Sequence, residues 1–597
     1  APGQATNIML ASYIFPSNKP TDIIIIANRV NLKTDTNSFN NMVVRTFQTA
    51  LTGNYTIGPT GDYTSISNAV SDLHELGVCG PIDFYIEAGI YIGQISINDI
   101  KGISSNSRVR FIGEKSTTDS VIIQFTAAQW YANYTLKIGS PWVGFENVSI
   151  INDGATYGRV IDLVGATHGV TFSKNNIIGL SSVSASSEFA LIYAADNFST
   201  DSLMLFDSNH FIDGSYGIWI SGLSLNDFGS SNYITNNQFK NQFVIAIQGL
   251  YQKGLHIIGN HIETSTSYSN YAAIQIQNSF NNFVISKNKI NVKQGRYGIN
   301  IVYTNGNINE RGLISNNFIH IGGSFSNVKG IGLDNSSFTN IYNNSIHITT
   351  DHYSASGLFI NSNVTNSWVY NNNLVNTGPG YALSYFGVTY LKSDYNNIYT
   401  TSNNFAWFNG NRLDLSAWQL STKYDSNSVS ANPYFTSKTD LHSKAIELDS
   451  AGTRLQKVLY DIDGDLRNPY FLDIGADEFV LLSSDAGVVD CPTFSETACD
   501  GMKSLQVELI NYGVIRLDSI DIVWSINNQV ADTATYYGAL GYLKSDTLTL
   551  GNYSFNADSN YTITFFTLFP NGQTDEKHEN DSFTIRDLNI VSFPQNI

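Results

Sequence analysis

Asn-His-Ile at 260–262, Asn-Lys-Ile at 288–290, Asn-Asn-Phe at 316–318, Asn-Ser-Ile at 344–346 and Asn-Asn-Leu at 372–374 decide the fold. Their first asparagines, Asn260, Asn288, Asn316, Asn344 and Asn372, follow one another at 28 residues (288 − 260, 316 − 288, 344 − 316, 372 − 344). Upstream the series continues through Asn237, Asn209 and Asn175, then Asn147 and Asp119; downstream it reaches Asn396. A period of this length is the mark of a stacked repeat. Asn tolerates the left-handed backbone of a sharp corner, and stacked amides can hydrogen-bond into a ladder. The apolar residue two positions later is expected to point into the core.

Between ladder steps lie alternating stretches such as Ala273-Ile274-Gln275-Ile276, Gly298-Ile299-Asn300-Ile301 and Gly357-Leu358-Phe359-Ile360. Each repeat therefore supplies at least two strands. A coil that advances one strand spacing per turn gives a parallel β-helix, right-handed by the crossover rule. The expected fold is all-β: a right-handed parallel β-helix of about a dozen coils of 23–34 residues (260 − 237, 209 − 175).

Composition narrows the function classes. Charged residues are 14% of the chain, against a usual ~25%. Fifty acidic residues against 32 basic ones give a net charge of −18, which argues against nucleic acid or an anionic membrane as partner. No apolar run reaches the ~18–20 residues of a membrane-spanning helix, so no membrane insertion is expected. Ala1-Pro2-Gly3 shows no basic stretch leading into an apolar core, as a signal peptide would. Cys491 and Cys499, eight apart (499 − 491), are spaced to close a small disulfide ring in an oxidising compartment. Cys79 reads as a small buried apolar residue.

In chain order, residues 1–49 read as the last strands of a partial immunoglobulin-like segment. Ile8, Leu10, Tyr13, Ile23, Thr34 and Asn40 have counterparts in Leu548, Leu550, Tyr553, Ile563, Thr574 and Asn580, each 540 residues on (548 − 8, 563 − 23, 574 − 34, 580 − 40). Residues 50–81 are a linker and a capping helix, with Ile66, Val70, Leu73 and Leu76 on one face, Thr64 or Ser65 at its start and Gly77 at its end. Such a helix covers strand edges that would otherwise invite aggregation. Residues 82–482 are the β-helix. Residues 483–597 form a sandwich, with Leu505/Val507/Leu509 and Ile520/Ile522/Trp524/Ile526 alternating and Trp524 facing inward.

Gly61-Asp62-Tyr63-Thr64-Ser65-Ile66 and Ala88-Gly89-Ile90-Tyr91 resemble the start of the pectate-lyase-like β-helix superfamily. Arg467 and Asp473-Ile474-Gly475-Ala476-Asp477-Glu478-Phe479 resemble the close of β-helix modules in large secreted Bacteroidetes proteins. Pro570-Asn571-Gly572-Gln573-Thr574-Asp575-Glu576 with Glu579-Asn580-Asp581 resembles the CARDB-like, immunoglobulin-type adhesion modules. The resemblance implies extracellular, cell-surface or secreted placement in tandem arrays.

Fold does not settle chemistry. Hydrolases on this fold use paired carboxylates, yet between Gly154 and Gly380 no two acidic residues are adjacent. The Asn-Thr-Asp, Asp-Asp and Gly-His-Gly signatures of polygalacturonases are missing, and no catalytic residue is assigned. Asp461, Asp463 and Asp465 alternate around Gly464 as at the start of a calcium loop, without its terminal Glu; calcium is the sole cofactor this suggests, and a solvated turn is the competing reading. Asp-Ser/Thr-aliphatic triplets at Ser120, Ser202, Ser450, Ser519, Thr533 and Thr547 resemble the O-glycosylation acceptor pattern of Bacteroidetes. The expected function is structural or adhesive: one module of a surface stalk or filament, partnered by copies of itself, by adjacent modules or by surface glycans. The alternatives are a secreted polysaccharide lyase or other carbohydrate-active enzyme, and a non-catalytic glycan-binding module.

Overall fold

The structure, a computed structural model, describes residues 4–592 except 16–19, 28, 31, 32, 35, 36, 115–117, 166, 182, 196–201, 281, 495, 496 and 558. Two compact units divide it, residues 1–478 and 479–597.

The first unit is a parallel β-solenoid of about 13 turns. Three sheets of 12, 13 and 13 strands run along it, each strand paired in parallel with its counterpart in the next coil, save an antiparallel pair at the end of one sheet. The coil strands begin at Leu51–Ile57 and stop at Asn411–Arg412, short of the expected 82–482 at its end and ahead of it at its start. Like residues stack on like. Ile262, Ile290, Ile319, Ile346, Leu374 and Ile398 form one column. Ile274, Ile299, Ile331, Leu358 and Leu383 form another. Phe84, Phe111, Phe145, Phe172 and Phe206 stack face to face with centroids 4.9–6.0 Å apart. Each buried side chain of this kind contributes about 1.5–3 kcal/mol.

The asparagine ladder runs through Asn175, Asn209, Asn237, Asn260, Asn288, Asn317, Asn344, Asn372 and Asn396, all buried. Asn317 takes the rung expected of Asn316. At each step the backbone N–H and Nδ2 of one Asn both donate to Oδ1 of the next: for Asn288 onto Asn317, at 3.0 and 2.9 Å. The second Nδ2 hydrogen goes to a main-chain carbonyl, here that of Ile257 at 3.0 Å. Every polar atom of the rung is thus satisfied away from water. The left-handed corner is not the rung but the residue before it: Lys174, Ser208, Asn236, Gly259, Lys287, Asn316, Asn343, Asn371 and Tyr395 all have positive φ. Asn147, which the spacing placed on the ladder, is such a corner, with φ 58°.

The ladder is directional, so its ends need different groups. At the start the Val148 N–H donates to Asn175 Oδ1 at 3.0 Å. At the end Asn396 Nδ2 donates to Asp425 Oδ1 at 2.9 Å. Asp425, 1% exposed, also accepts from Ser393 Oγ, Ser428 Oγ and Trp418 Nε1 at 3.0, 2.8 and 2.8 Å. A carboxylate accepts without donating, so it ends the chain of amides.

Helices close both ends. Ile66–Leu76 buries Ile66, Ala69, Val70 and Leu73; Ser65 Oγ accepts from the Asn68 N–H at 3.2 Å and Gly77 ends it at φ 69°. Leu415–Thr422, which the hydrophobic pattern did not announce, buries Trp418 against Tyr385. Residues 423–478 then run back along the outside of the sheet that carries the ladder's downstream strands. The left-handed corners hold them there. Asn371 Nδ2 donates to the Thr453 carbonyl at 2.7 Å, Asn343 Nδ2 to that of Gly475 at 3.2 Å and Asn316 Nδ2 to that of Tyr460 at 2.7 Å.

Residues 479–597 carry a three-stranded sheet, ordered Ala486–Asp490, Gly501–Asn511, Ser545–Phe555. A five-stranded sheet is ordered Thr497–Cys499, Ser582–Val591, Ser559–Leu568, Leu517–Ile526, Gln529–Leu540. Leu505, Val507 and Leu509 pack in one core with Ile520, Ile522, Trp524 and Ile526. The expected Cys491–Cys499 disulfide is not formed: both are free thiols. Cys491 follows a strand of the three-stranded sheet and is buried, whereas Cys499 lies in the five-stranded one, so closeness in sequence ends on different sheets. Cys79, expected to be buried, is exposed; its Sγ lies 3.3 Å from the Ala50 carbonyl.

Candidate functional site

Strands His261–Thr264, Lys289–Val292 and Phe318–Ile321 stack in register, placing His261, Lys289 and Phe318 in one outward row and Glu263, Asn291 and His320 in the next. The returning segment lays Thr439, Asp440 and His442 beside them. All of these except His320 line an open cleft of about 370 Å³.

His442 is the centre of the charge arrangement. Its Nε2 bonds Asp463 Oδ2 at 2.7 Å, its Nδ1 pairs with Asp440, and its ring meets Phe318 edge-on at 4.9 Å. Lys289 Nζ reaches the other oxygen of Asp463 at 3.1 Å, and Lys293 pairs with Glu263 at 3.0 Å. Burial opposes the charge on His442, but Asp463 and Asp440 outweigh it and raise its pKa. Burial would raise Asp463, yet His442 and Lys289 hold it below the usual carboxylate range. Asp477, 8% exposed, is pushed up to about 6 by burial, with Asp461 and Asp463 adding repulsion and His442 opposing it.

Farther along the same wall, burial lowers the pKa of two histidines, His320 on the strand of Phe318 and His347 one coil on. His320, held between Asn291 and Thr349 at 3.0 Å each, falls to about 4; His347, bonded to Thr377 and the Lys438 carbonyl, is lowered too. Their roles are to fill and orient the wall under the returning segment.

Of the three aspartates read as a calcium loop, Asp463 bonds two residues of the cleft wall, His442 and Lys289. Asp461 Oδ1 accepts the backbone N–H groups of Asp463, Gly464 and Asp465 at 3.0, 2.8 and 2.8 Å, and Oδ2 that of Glu478 at 3.1 Å. Asp461 therefore builds a turn, Asp465 is exposed, and the three carboxylates do not converge. Arg467 is buried and pairs with Glu478 at 3.1 Å. Ligand atoms that do converge, among the described residues, belong to His442, Asp463 and Asp477, all within 4.8 Å of one another. As a donor set of one imidazole and two carboxylates it suits a zinc-like cation better than calcium, which takes oxygen.

Of the glycosylation candidates, Ser450, Thr533 and Thr547 are exposed; Ser120, Ser202 and Ser519 are half-buried, and Ser202 Oγ accepts from the stacked Ser230 Oγ at 3.1 Å. His442, Asp440, Asp477 and Lys289 were not picked out by sequence reasoning. The nearest signal was the Asn-Asn doublet at 316–317, 343–344 and 371–372, whose first asparagines grip the returning segment; 236–237 carries the same doublet, but there Asn236 Nδ2 donates to Asp207 Oδ1 at 3.0 Å instead.

The chain matches no known family profile and no curated protein. Solved structures similar to parts of it include the CARDB domain of the PF1109 protein from Pyrococcus furiosus, at 20% identity over 19% of this chain and 100% of that one, TM-score 0.17. The periplasmic alginate epimerase AlgG is similar at 10% identity over 63% and 93%, TM-score 0.34. PfbA, a surface adhesin of Streptococcus pneumoniae, is similar at 12% identity over 55% and 87%, TM-score 0.22. None of these likenesses decides an activity. No helix among the described residues is long and apolar enough to cross a membrane.

Proposed function

We propose that this chain is an extracellular structural and adhesive module, a stiff solenoid spacer joined to an immunoglobulin-like sandwich within a surface stalk or filament. The observation that supports this reading is the ladder: a buried, continuous hydrogen-bonded column that Asp425 terminates and that leaves no rung accessible for chemistry. A column of this kind resists bending because each rung is tied both to its neighbour and to the main chain. Single-molecule stretching is the test: the solenoid should unfold coil by coil and only after the sandwich yields. A solenoid that gives way before the sandwich would remove the spacer reading. The Bacteroidetes resemblance and the glycosylation sites belong to this proposal; intact-mass analysis without added hexose would remove the latter.

The second reading is a carbohydrate-active site in the His442 cleft, favoured by one observation: acidic and basic side chains from two coils and the returning segment face one open groove, with Phe318 of a third coil beside them. Incubation with acidic polysaccharides, with and without divalent cation, tests it. Product formation lost in His442→Ala would establish catalysis; binding without product would make the cleft a glycan-binding site.

A further inference from the structure

The hairpin near the start repeats the end of the sandwich residue for residue. Thr21–Ile26 pairs antiparallel with Met42–Phe47, placing Ile23, Ile24, Ile25 and Ile26 opposite Arg45, Val44, Val43 and Met42. Adding 540 to each gives Ile563, Thr564, Phe565 and Phe566 opposite Ile585, Thr584, Phe583 and Ser582, which is the register of the two last sandwich strands. The short 3-10 turn Ser38–Asn40 falls on His578–Asn580 at the same offset. So does the link from the Ala27 N–H to the Asn41 carbonyl, matched by Thr567 to Asp581, both 2.8 Å. Tyr13 meets Phe15 edge-on, as Tyr553 meets Phe555.

The surroundings differ. Phe565 is fully buried, paired on its far side with Trp524 of the strand Leu517–Ile526. Its counterpart Ile25 is 47% exposed, and Ile24, Ile26, Val43, Val44 and Phe47 are exposed with it. Ser545–Phe555 is a strand because Gly501–Asn511 pairs with it. Residues 5–15, its counterpart, have no strand partner and form none. An isolated two-stranded hairpin is marginal in water, and an uncovered apolar edge is an assembly site.

We infer that this hairpin, with residues 5–15, is the closing portion of a second sandwich, and that its partner is a β-sheet body with the residue pattern of 486–540. The partner's equivalent of Leu517–Ile526 lies antiparallel to Thr21–Ile26, its Trp524 equivalent opposite Ile25; its equivalent of Gly501–Asn511 turns residues 5–15 into a strand. Recognition is by main-chain edge pairing with alternating side chains in register. The inference stands whether the chain is adhesive or catalytic.

The test extends the full chain by placing a copy of residues 483–540 directly before Ala1, since residue 541 is the counterpart of residue 1. Hydrogen exchange at amides 5–15, 21–26 and 42–47 should slow at least about tenfold relative to the unextended chain. Ile25→Asp in the extended chain should abolish that slowing. Exchange that does not slow, or slowing that survives Ile25→Asp, overturns the inference.

Discussion

The Asp425 terminus and the His442 cleft are both places where side chains from different coils meet a carboxylate. At Asp425 the partners are neutral donors, the group is buried, and each bond has one possible direction. At His442 the partners are charged, half open to water and able to exchange protons or partners. Burial pushes the Asp425 carboxyl up while its four side-chain donors pull it back, and it remains above the usual range. The first arrangement fixes a structure; the second leaves charge to be shared, which is what a binding groove requires.

That contrast should break first at the ladder's end. Asp425→Ala strands the Trp418 indole N–H and leaves the Asn396 amide with only the Val369 carbonyl at 3.1 Å and Ser393 Oγ at 3.3 Å, while the two serine hydroxyls can turn elsewhere. A stranded buried donor and a weakened one cost about 4 kcal/mol together, read as a fall in the denaturation midpoint. Loss of less than about 1 kcal/mol would mean that water replaces the carboxylate and that the ladder needs no terminator.

A rung in the middle comes next. Asn288→Ala removes the acceptor of Asn260 and leaves the Ile257 carbonyl and Asn317 Oδ1 short of donors, for about 3 kcal/mol. Asn317→Ala should match it. Asn316→Gly, which keeps the left-handed corner but drops the grip on Tyr460 and Arg467, should cost less and expose residues 453–478 to protease.

This pair of positions also shows how far the sequence could be read. The 28-residue period selects coils, but the steps on either side of Asn317 are 29 and 27 residues (317 − 288, 344 − 317), so the period alone picks Asn316. The neighbouring pattern corrects it: a rung stands two before a core residue, and Ile319, not Phe318, is the core residue. Phe318 instead packs outside, edge-on to His442. The ladder and both sandwich faces were legible because each repeats with a period of backbone geometry. The cleft was not, because it joins Lys289 to Asp463 across 174 residues and no local pattern encodes that return. The cysteine pair misled for the same reason: sequence spacing says nothing about which sheet each residue enters.

Protonation supplies a third measurement. Asp477 sits at about 6 in the folded chain against an ordinary 3.8. A raised folded pKa means that its contribution is complete below pH 4 and is lost as pH rises through about 6. His442, also raised, acts in the same direction but from its ordinary 6.5 upward. Asp477→Asn should therefore equal the parent chain at pH 4 and exceed it by about 2 kcal/mol at pH 7.5. Thermal melts across that range read the difference. If the cluster takes up zinc, the gain should vanish when the metal is added, because the parent chain then recovers what it had lost to repulsion while the amide gives up a ligand.

The smallest effect is expected at Lys289. Its ammonium contacts Asp463 at 3.1 Å, but the two side chains are 44% and 39% exposed. Ion pairs that open to water contribute little, because solvent and salt screen them and both side chains lose rotamer freedom. Lys289→Ala should change stability by about 0.5 kcal/mol or less, and that change should shrink further at high salt. Asn288→Ala and Asn317→Ala should show no such salt dependence, since neither removes a charge. A salt-insensitive loss as large as that of Asn288→Ala would place Lys289 among the groups that hold the coils together. The cleft would then be a second ladder built from charges, and the groove reading of His442 would fail with it.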